Sequence, residues 1–485
     1  MRRYQLMFGG PGQRRAEPGH ALLVTEGCNR EAALELADSL SRLRCGERRI
    51  GLATQPGGNY GAGVTDLAVV ARGPMDGGRS LERLICHPRL PLVAGLDSER
   101  PAVHIWGCGE GQLRELGVVC LSPEVYGDAL GWERAARTPA VAWHPHQALL
   151  VVSGEGGLRQ WTPAGVTEPE GAPAAASYRS LAFSPDGQTL WGAPSLRDEG
   201  GGWESSDVLD LASGTIGAGP GWDTGVAEHP GGGLVVTLAS DQGATHCLFA
   251  RVGQGAEPAV MRPLRRALIL DCDGYETPLF SADGRHMAVR GNAYDHSVEV
   301  FEFPSLRRVL ATTLGDPSPG YPYPQEWLDQ MDTWSRHNIA FGPQPGVLWI
   351  ATPRGVLVEV DVETRKPVEH EVLTGSRCSA LAATATGELV VASSEGELLL
   401  MSVFSDSPQA GPAGRDVSSA AVTAFLEATD EVPDDADDLE AYLVLTDGTR
   451  TWEADDLAAV TTASTTDPTW LQLQAAINKV RLASE

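Results

Sequence analysis

Three histidines invite a metal reading. His87, His144 and His229 each precede a proline, and His146 stands close to the second of them. Imidazoles converging from such positions would supply the nitrogen ligands that zinc prefers. Each of the three sits at the reversal of a recurring hairpin, and in the other copies the same slot holds Ser184, Ser281, Gly342 or Thr384. A slot that accepts Ser, Gly and Thr asks for a small or polar turn former, so it reads as a turn and not as a ligand. Asp271-Cys272-Asp273-Gly274 followed by Glu276 resembles a fragment of a calcium loop, but the other ligands are missing and an acidic surface turn accounts for it. No lysine follows a glycine, so there is no phosphate-binding P-loop, and no G-x-S-x-G nucleophile elbow occurs. Gly107-Cys108-Gly109-Glu110-Gly111 lacks the spacing of a dinucleotide fingerprint and reads as a turn. The sequence nominates no catalytic, cofactor-binding or metal-ligating residue.

Residues suited to binding another protein are easier to find. The segment Gly315–Arg336 holds Pro317, Pro319, Tyr321, Pro322, Tyr323 and Pro324, and then Trp327, Met331 and Trp334 at the spacing of one helix face. Such a face either packs inward or meets a partner, and aromatic and Arg side chains (Arg336 closes the segment) dominate interface hot spots. A second insertion, Ser195–Ser206, carries Trp203 at a hairpin tip. The interaction candidates are therefore Tyr321, Tyr323, Trp327, Met331, Trp334, Arg336 and Trp203.

Composition narrows the partners. A net charge of -27 disfavours sequence-blind nucleic-acid binding and anionic membrane surfaces, because both need clustered Lys or Arg. No run approaches the roughly 20 apolar residues of a membrane span, and the apolar start Tyr4–Phe8 is too short for a signal peptide. The eight cysteines contain no C-x-x-C pair and read as buried, reduced thiols. These features lead to the expectation of a cytoplasmic protein. The only lysines are Lys366 and Lys479 against many arginines, which points to a GC-rich, bacterial genome.

The elements that must position these loops are repeats. Ser180–Pro194 (SLAFSPDGQTLWGAP) reads as a hairpin: an apolar run, a Ser-Pro-Asp-Gly reversal, a second apolar run. Six more copies stand at Leu84–Leu96, Val141–Gly154, Val226–Ser240, Pro278–Gly291, Ile339–Pro353 and Leu381–Ser394. The spacing averages about 50 residues, near the period of one four-stranded propeller blade. A third strand follows each hairpin, and a fourth is legible at Gln112–Val118, Arg307–Thr313 and Lys366–Leu373. The last copy lacks an outer strand, and Asp66–Ala71 is the candidate to supply it and close the ring.

Ser153–Trp161 (SGEGGLRQW) together with Ser180–Ala193 resembles the WD-repeat β-propeller family, over roughly residues 64–406. The Gly-His dipeptide is absent, and Gly107 and Thr162 follow Trp106 and Trp161 where the family has Asp. The expected fold is all-β: a seven-bladed propeller over residues 64–406 with a small α+β appendage from the terminal segments 1–63 and 415–485. In the first segment, Arg3–Phe8 and Ala21–Thr25 read as strands, Asn29 as the cap of a helix ending at Gly46, and Gln55–Gly63 as a linker. In the second, Asp447-Gly448 turns a hairpin, Asp467 and Pro468 open a helix, and Trp470, Leu473, Ile477 and Val480 line its face. The acidic run from Asp430 to Glu440 reads as a solvated linker or as bait for a basic partner.

The resemblance implies partner binding across a propeller face. The expected function is a non-catalytic protein–protein interaction scaffold, a subunit of a larger cytoplasmic assembly, with other proteins as partners and no cofactor, nucleic acid or membrane insertion. The alternatives are a lactonase-like propeller hydrolase with a metal in the central channel, and a sensor module of a bacterial signalling or defence system.

Overall fold

The computed structural model describes residues 65–484 except 76–77, 130, 170–175, 197–204, 242–243, 254–257, 272–273, 292–295, 318, 320–321, 405–411, 434–435 and 437–438. The strands, helix and linker expected within residues 1–63 lie outside the described residues.

Seven antiparallel sheets form a closed propeller. Blades 1 to 6 span residues 81–120, 140–167, 180–220, 224–271, 279–314 and 339–371, and blade 7 begins at 378. Within each blade the chain meanders outward, and the first strands of blades 1 and 7 lie side by side. Blade 7 takes only three strands from its own segment; the fourth is Asp66–Pro74, antiparallel to Glu397–Phe404 with Leu67 opposite Val403. The closure expected from Asp66–Ala71 is present and runs three residues further.

The core is divided into wedges, one between each pair of neighbouring blades. Val93, Leu81 and Trp106 of blade 1 pack on Val390, Leu398 and Leu400 of blade 7. Val391, Leu399 and Met401, one residue out of step, pack on Trp349 and Leu357 of blade 6. A strand covered on both faces needs apolar residues at every position, which explains runs such as Leu398–Met401. Outer strands face water on one edge and read differently: Gly165–Thr167 is wholly exposed.

The outer strand of blade 4, Met261–Asp271, is the exception. The C-terminal segment extends its sheet, with Val444–Thr446 pairing in parallel so that Ala267 lies opposite Leu445. Thr451–Trp452 completes the expected hairpin around Gly448, whose φ of 83° suits glycine.

Five helices accompany the strands among the described residues: α1 (Gly131–Arg137), α2 (Gln325–Met331), α3 (Pro412–Glu427), α4 (Ala454–Ala459) and α5 (Thr469–Ser484). Helix α3 lies between blades 4 and 5, where Val422 and Phe425 join Phe249 and Phe303. Trp470 and Leu471 of α5 pack with Trp452 on Ala267 and Ile269.

The cap of α5 corrects the sequence reading. The Asp467 carboxylate turns back to accept from Ser464 N at 2.7 Å and Arg450 Nη1 at 2.6 Å. The free amides of α5 are met instead by Asp271, whose Oδ1 accepts from Trp470 N at 3.3 Å. Asp271 is thus a docking residue and not part of an ion loop with Glu276, which lies beside His337 at 3.6 Å. The acidic run is also anchored at its start, where Glu431 pairs with Arg251 at 2.6 Å.

Candidate functional site

A meander places the first-to-second and third-to-fourth turns of every blade at one end of the ring. The second-to-third turns and the blade-to-blade connections lie at the other. The two faces differ in character. The first-to-second turns are short, at 87–91, 144–149, 184–188, 229–233, 281–285, 342–346 and 384–388. Among the described residues, the opposite face carries the longer connections, which hold α1 between blades 1 and 2 and α2 between blades 5 and 6.

The histidines belong to the turn face, and each spans a blade junction. His87 Nδ1 accepts from Arg89 N and Leu90 N, both at 3.0 Å. That fixes the proton on Nε2, which donates to the Gln147 carbonyl of blade 2 at 2.8 Å. His144 accepts from His146 N and Gln147 N and bonds the Gly187 backbone of blade 3. His229 accepts from Gly231 N and donates to the Gly284 carbonyl of blade 5 at 3.0 Å. Each ring also packs on the aromatic residue just before the next blade's turn: His87 on Trp143, His144 on Phe183, His229 on Phe280. Burial pushes the His229 imidazole down to about 4, only partly offset by the bond to Gly284 and the charge of Asp283. With both nitrogens engaged and the rings at separate junctions, these residues staple blades. Where the slot is Ser184, the hydroxyl closes only its own turn by accepting from Thr189 N.

The loop face gathers charge around the channel mouth. Glu82 and Arg83 come from the first strand of blade 1, Glu276 and Thr277 from the entry to blade 5, and Arg336 and His337 from the entry to blade 6. Arg290 comes from the second strand of blade 5. Glu82 pairs with Arg134 of α1 at 2.5 Å, and Arg134 stacks on the Tyr126 ring at 3.2 Å. Arg83 Nη2 donates to Thr277 Oγ1 at 3.4 Å, so a blade 1 side chain reaches the blade 5 side of the ring. Glu276 faces His337 Nδ1 at 3.6 Å. Burial works against the Glu276 carboxylate, yet His337, Arg336, Arg83 and Arg290 together hold it below its ordinary value. Burial pushes His337 down to about 4 against the pull of Glu276, helped by the same arginines.

Arg290 is 1% exposed and organises the neighbouring insertion. It donates to Asn338 Oδ1 at 2.8 Å, to the Ser335 carbonyl at 3.2 Å, and to His296 Nδ1 at 2.7 Å. His296 Nε2 then donates to the Met331 carbonyl at 2.9 Å, fixing the end of α2.

The insertion's aromatic residues are placed as follows. Tyr323 and Trp327 stack at 5.1 Å and are half-buried, and Trp327 Nε1 donates to the Asp316 carbonyl at 3.3 Å. Met331 is buried, and Trp334 packs on the core between blades 5 and 6. Trp334 lies beyond the helix, so the single face expected from Trp327, Met331 and Trp334 is broken. Thr333 Oγ1 takes the Gln330 carbonyl at 2.6 Å and ends α2 there. Arg336 is exposed. Tyr321 and Trp203 lie outside the described residues. Among the described cysteines Cys108, Cys247 and Cys378 are buried as expected, while Cys120 is exposed because it sits on the outer strand of blade 1.

Sequence reasoning found Arg336 only through its aromatic neighbours and missed Arg83, Glu276, Arg290 and His337. Among the described residues no group of three or more His, Cys, Asp or Glu is placed to hold a metal ion. The guanidinium groups make this mouth unfavourable for any cation. No helix among the described residues is long and apolar enough to cross a membrane.

No family model matches the chain. Comparison with curated proteins gives no match either. The architecture is a seven-bladed propeller, a fold able to serve as an interaction scaffold.

Proposed function

We propose that this chain is a non-catalytic protein–protein interaction scaffold and that its partners bind on the loop face. The observation carrying this reading is the asymmetry of the ring: the long connections, α1 and α2 stand on one face, while the other is built of short turns and holds α3. Loops held by rigid blades meet a partner with little ordering entropy left to lose. Tyr323 and Trp327, half-buried and stacked, are the aromatic anchors on that face.

In the same reading the chain is a divergent WD-repeat-like protein. Its Ser-Pro-Asp-Gly and Ser-Ala-Asp-Gly turns support this, as does the buried Asp207, which accepts from Tyr178 at 2.9 Å and Ser195 at 2.6 Å. Unpaired cysteines among the described residues support a reducing, cytoplasmic setting. The scarcity of lysine supports a bacterial source, and the appended C-terminal segment supports membership of a larger assembly.

The test is capture from the source cell with the intact chain and with a Tyr323→Ala/Trp327→Ala variant. Loss of specific partners from the variant, with its melting midpoint unchanged, supports the reading. A monodisperse monomer in native lysate overturns it.

A further inference from the structure

We propose that the loop-face mouth of the channel is a binding site for a small oxyanion, a phosphate or a compact carboxylate, held by Arg336 and Arg83. Glu82 makes its ion pair with Arg134, at 2.5 Å. The guanidinium groups of Arg83, Arg290 and Arg336 all act on Glu276, while Glu82 also acts on Arg83 and Arg336, and Asp332 on Arg336. With Arg134 included, four guanidinium groups stand against the three carboxylates Glu82, Glu276 and Asp332, a local positive surplus in a chain whose net charge is -27.

The arginines are differently placed. Arg290 is enclosed and its hydrogen bonds all go to neutral acceptors, so its charge is felt but its donors are used. Arg83 makes one long bond, to Thr277 Oγ1, and no ion pair among the described residues. Arg336 is exposed and makes no hydrogen bond or ion pair among the described residues. A planar guanidinium with unused donors matches the paired oxygens of a carboxylate or phosphate, and low-dielectric channel walls strengthen the attraction. Arg83 reaches from blade 1 to Thr277 at the entry to blade 5, so the ligand proposed beside it is a compact one. This site does not require the scaffold reading: Arg336 lies at the end of the 315–338 connection, but binding a small anion there needs no protein partner on that face.

The experiment is calorimetric titration of the full chain with inorganic phosphate and, separately, with citrate, at an ionic strength fixed by sodium chloride. The expected result is saturable binding of at least one of them, weakened about tenfold or more by Arg336→Ala, as loss of a charge-assisted pair requires. Arg285→Ala, on the turn face, leaves the affinity unchanged. Arg336→Glu abolishes binding. Absence of saturable binding by both anions in the unaltered chain, or equal affinity in Arg336→Ala, overturns the proposal. Thermal melts of each variant without anion establish that the fold is retained, since Arg336 is exposed.

Discussion

Replacing His229 by alanine tests the blade staple, and its effect depends on pH in a way only a neutral, buried imidazole produces. His229 has no solvent exposure, and its ring centroid lies 4.7 Å from Phe280 and 4.4 Å from Phe303. The substitution leaves a cavity between blades 4 and 5 and strips partners from Gly231 N and the Gly284 carbonyl. Near pH 7 these losses amount to about 3–4 kcal/mol. The native ring titrates near 4, whereas an unfolded histidine titrates near 6.5. Between those values the unfolded chain binds the extra proton, so the staple's contribution is full above the unfolded value and declines as pH falls toward 4. By pH 4.5 the decline reaches about 2 kcal/mol. His229→Ala therefore destabilises the protein strongly at pH 7 and much less at pH 4.5. Urea unfolding followed by tryptophan fluorescence at the two pH values measures both differences. An equal penalty at both, or a larger one in acid, would refute the neutral staple.

Other consequences can be checked on the same material. Gly284→Ala forces a side chain onto a φ of 68° and to within 2.5 Å of both His229 Cε1 and Ser418 Oγ; it costs about 3 kcal/mol, whereas Gly232→Ala, at a φ of 75° in open space, costs about 1. Chemical denaturation of the two variants side by side gives the contrast, and equal losses would contradict the packing of α3 and His229 on that turn. Asp271→Ala removes the carboxylate at the start of α5 and costs about 1 kcal/mol, read as faster amide exchange confined to residues 469–475. Unchanged exchange there would return the capping role to Asp467. Deleting residues 1–74 lowers the melting midpoint by about 5 °C more than deleting 1–64, because only the longer deletion removes the outer strand of blade 7. Identical midpoints would mean that the strand does not seal the ring.

The hairpins were legible because strands covered on both sides must be apolar at successive positions, as Leu150–Val152 and Leu389–Ala392 are. The outer strands of blades 2 and 3 were not. Gly165–Thr167 is exposed throughout and Ile216–Pro220 contains two glycines and a proline, so neither carries a burial signal. The outer strand of blade 4 was obscured differently, since its burial depends on Leu445 and Trp452, nearly 180 residues away. The staples left a readable trace: a His in one turn slot with Trp143, Phe183 or Phe280 directly before the slot of the next blade. The channel mouth left none. Arg83, Glu276, Arg290 and His337 lie in four segments that share no motif, and only closure of the ring makes Arg83 a neighbour of the others.

The ring itself is what brings both faces into being, and it is tested most directly by a cross-link between its ends. Ala68 and Ser402 are paired across the closing sheet, so an Ala68→Cys/Ser402→Cys variant has its thiols within disulfide reach. Oxidation followed by peptide mapping is expected to recover a disulfide joining the two segments within one molecule, with a raised melting midpoint. Recovery of no such peptide, or of one formed only between molecules, would contradict a propeller closed by its own first strand.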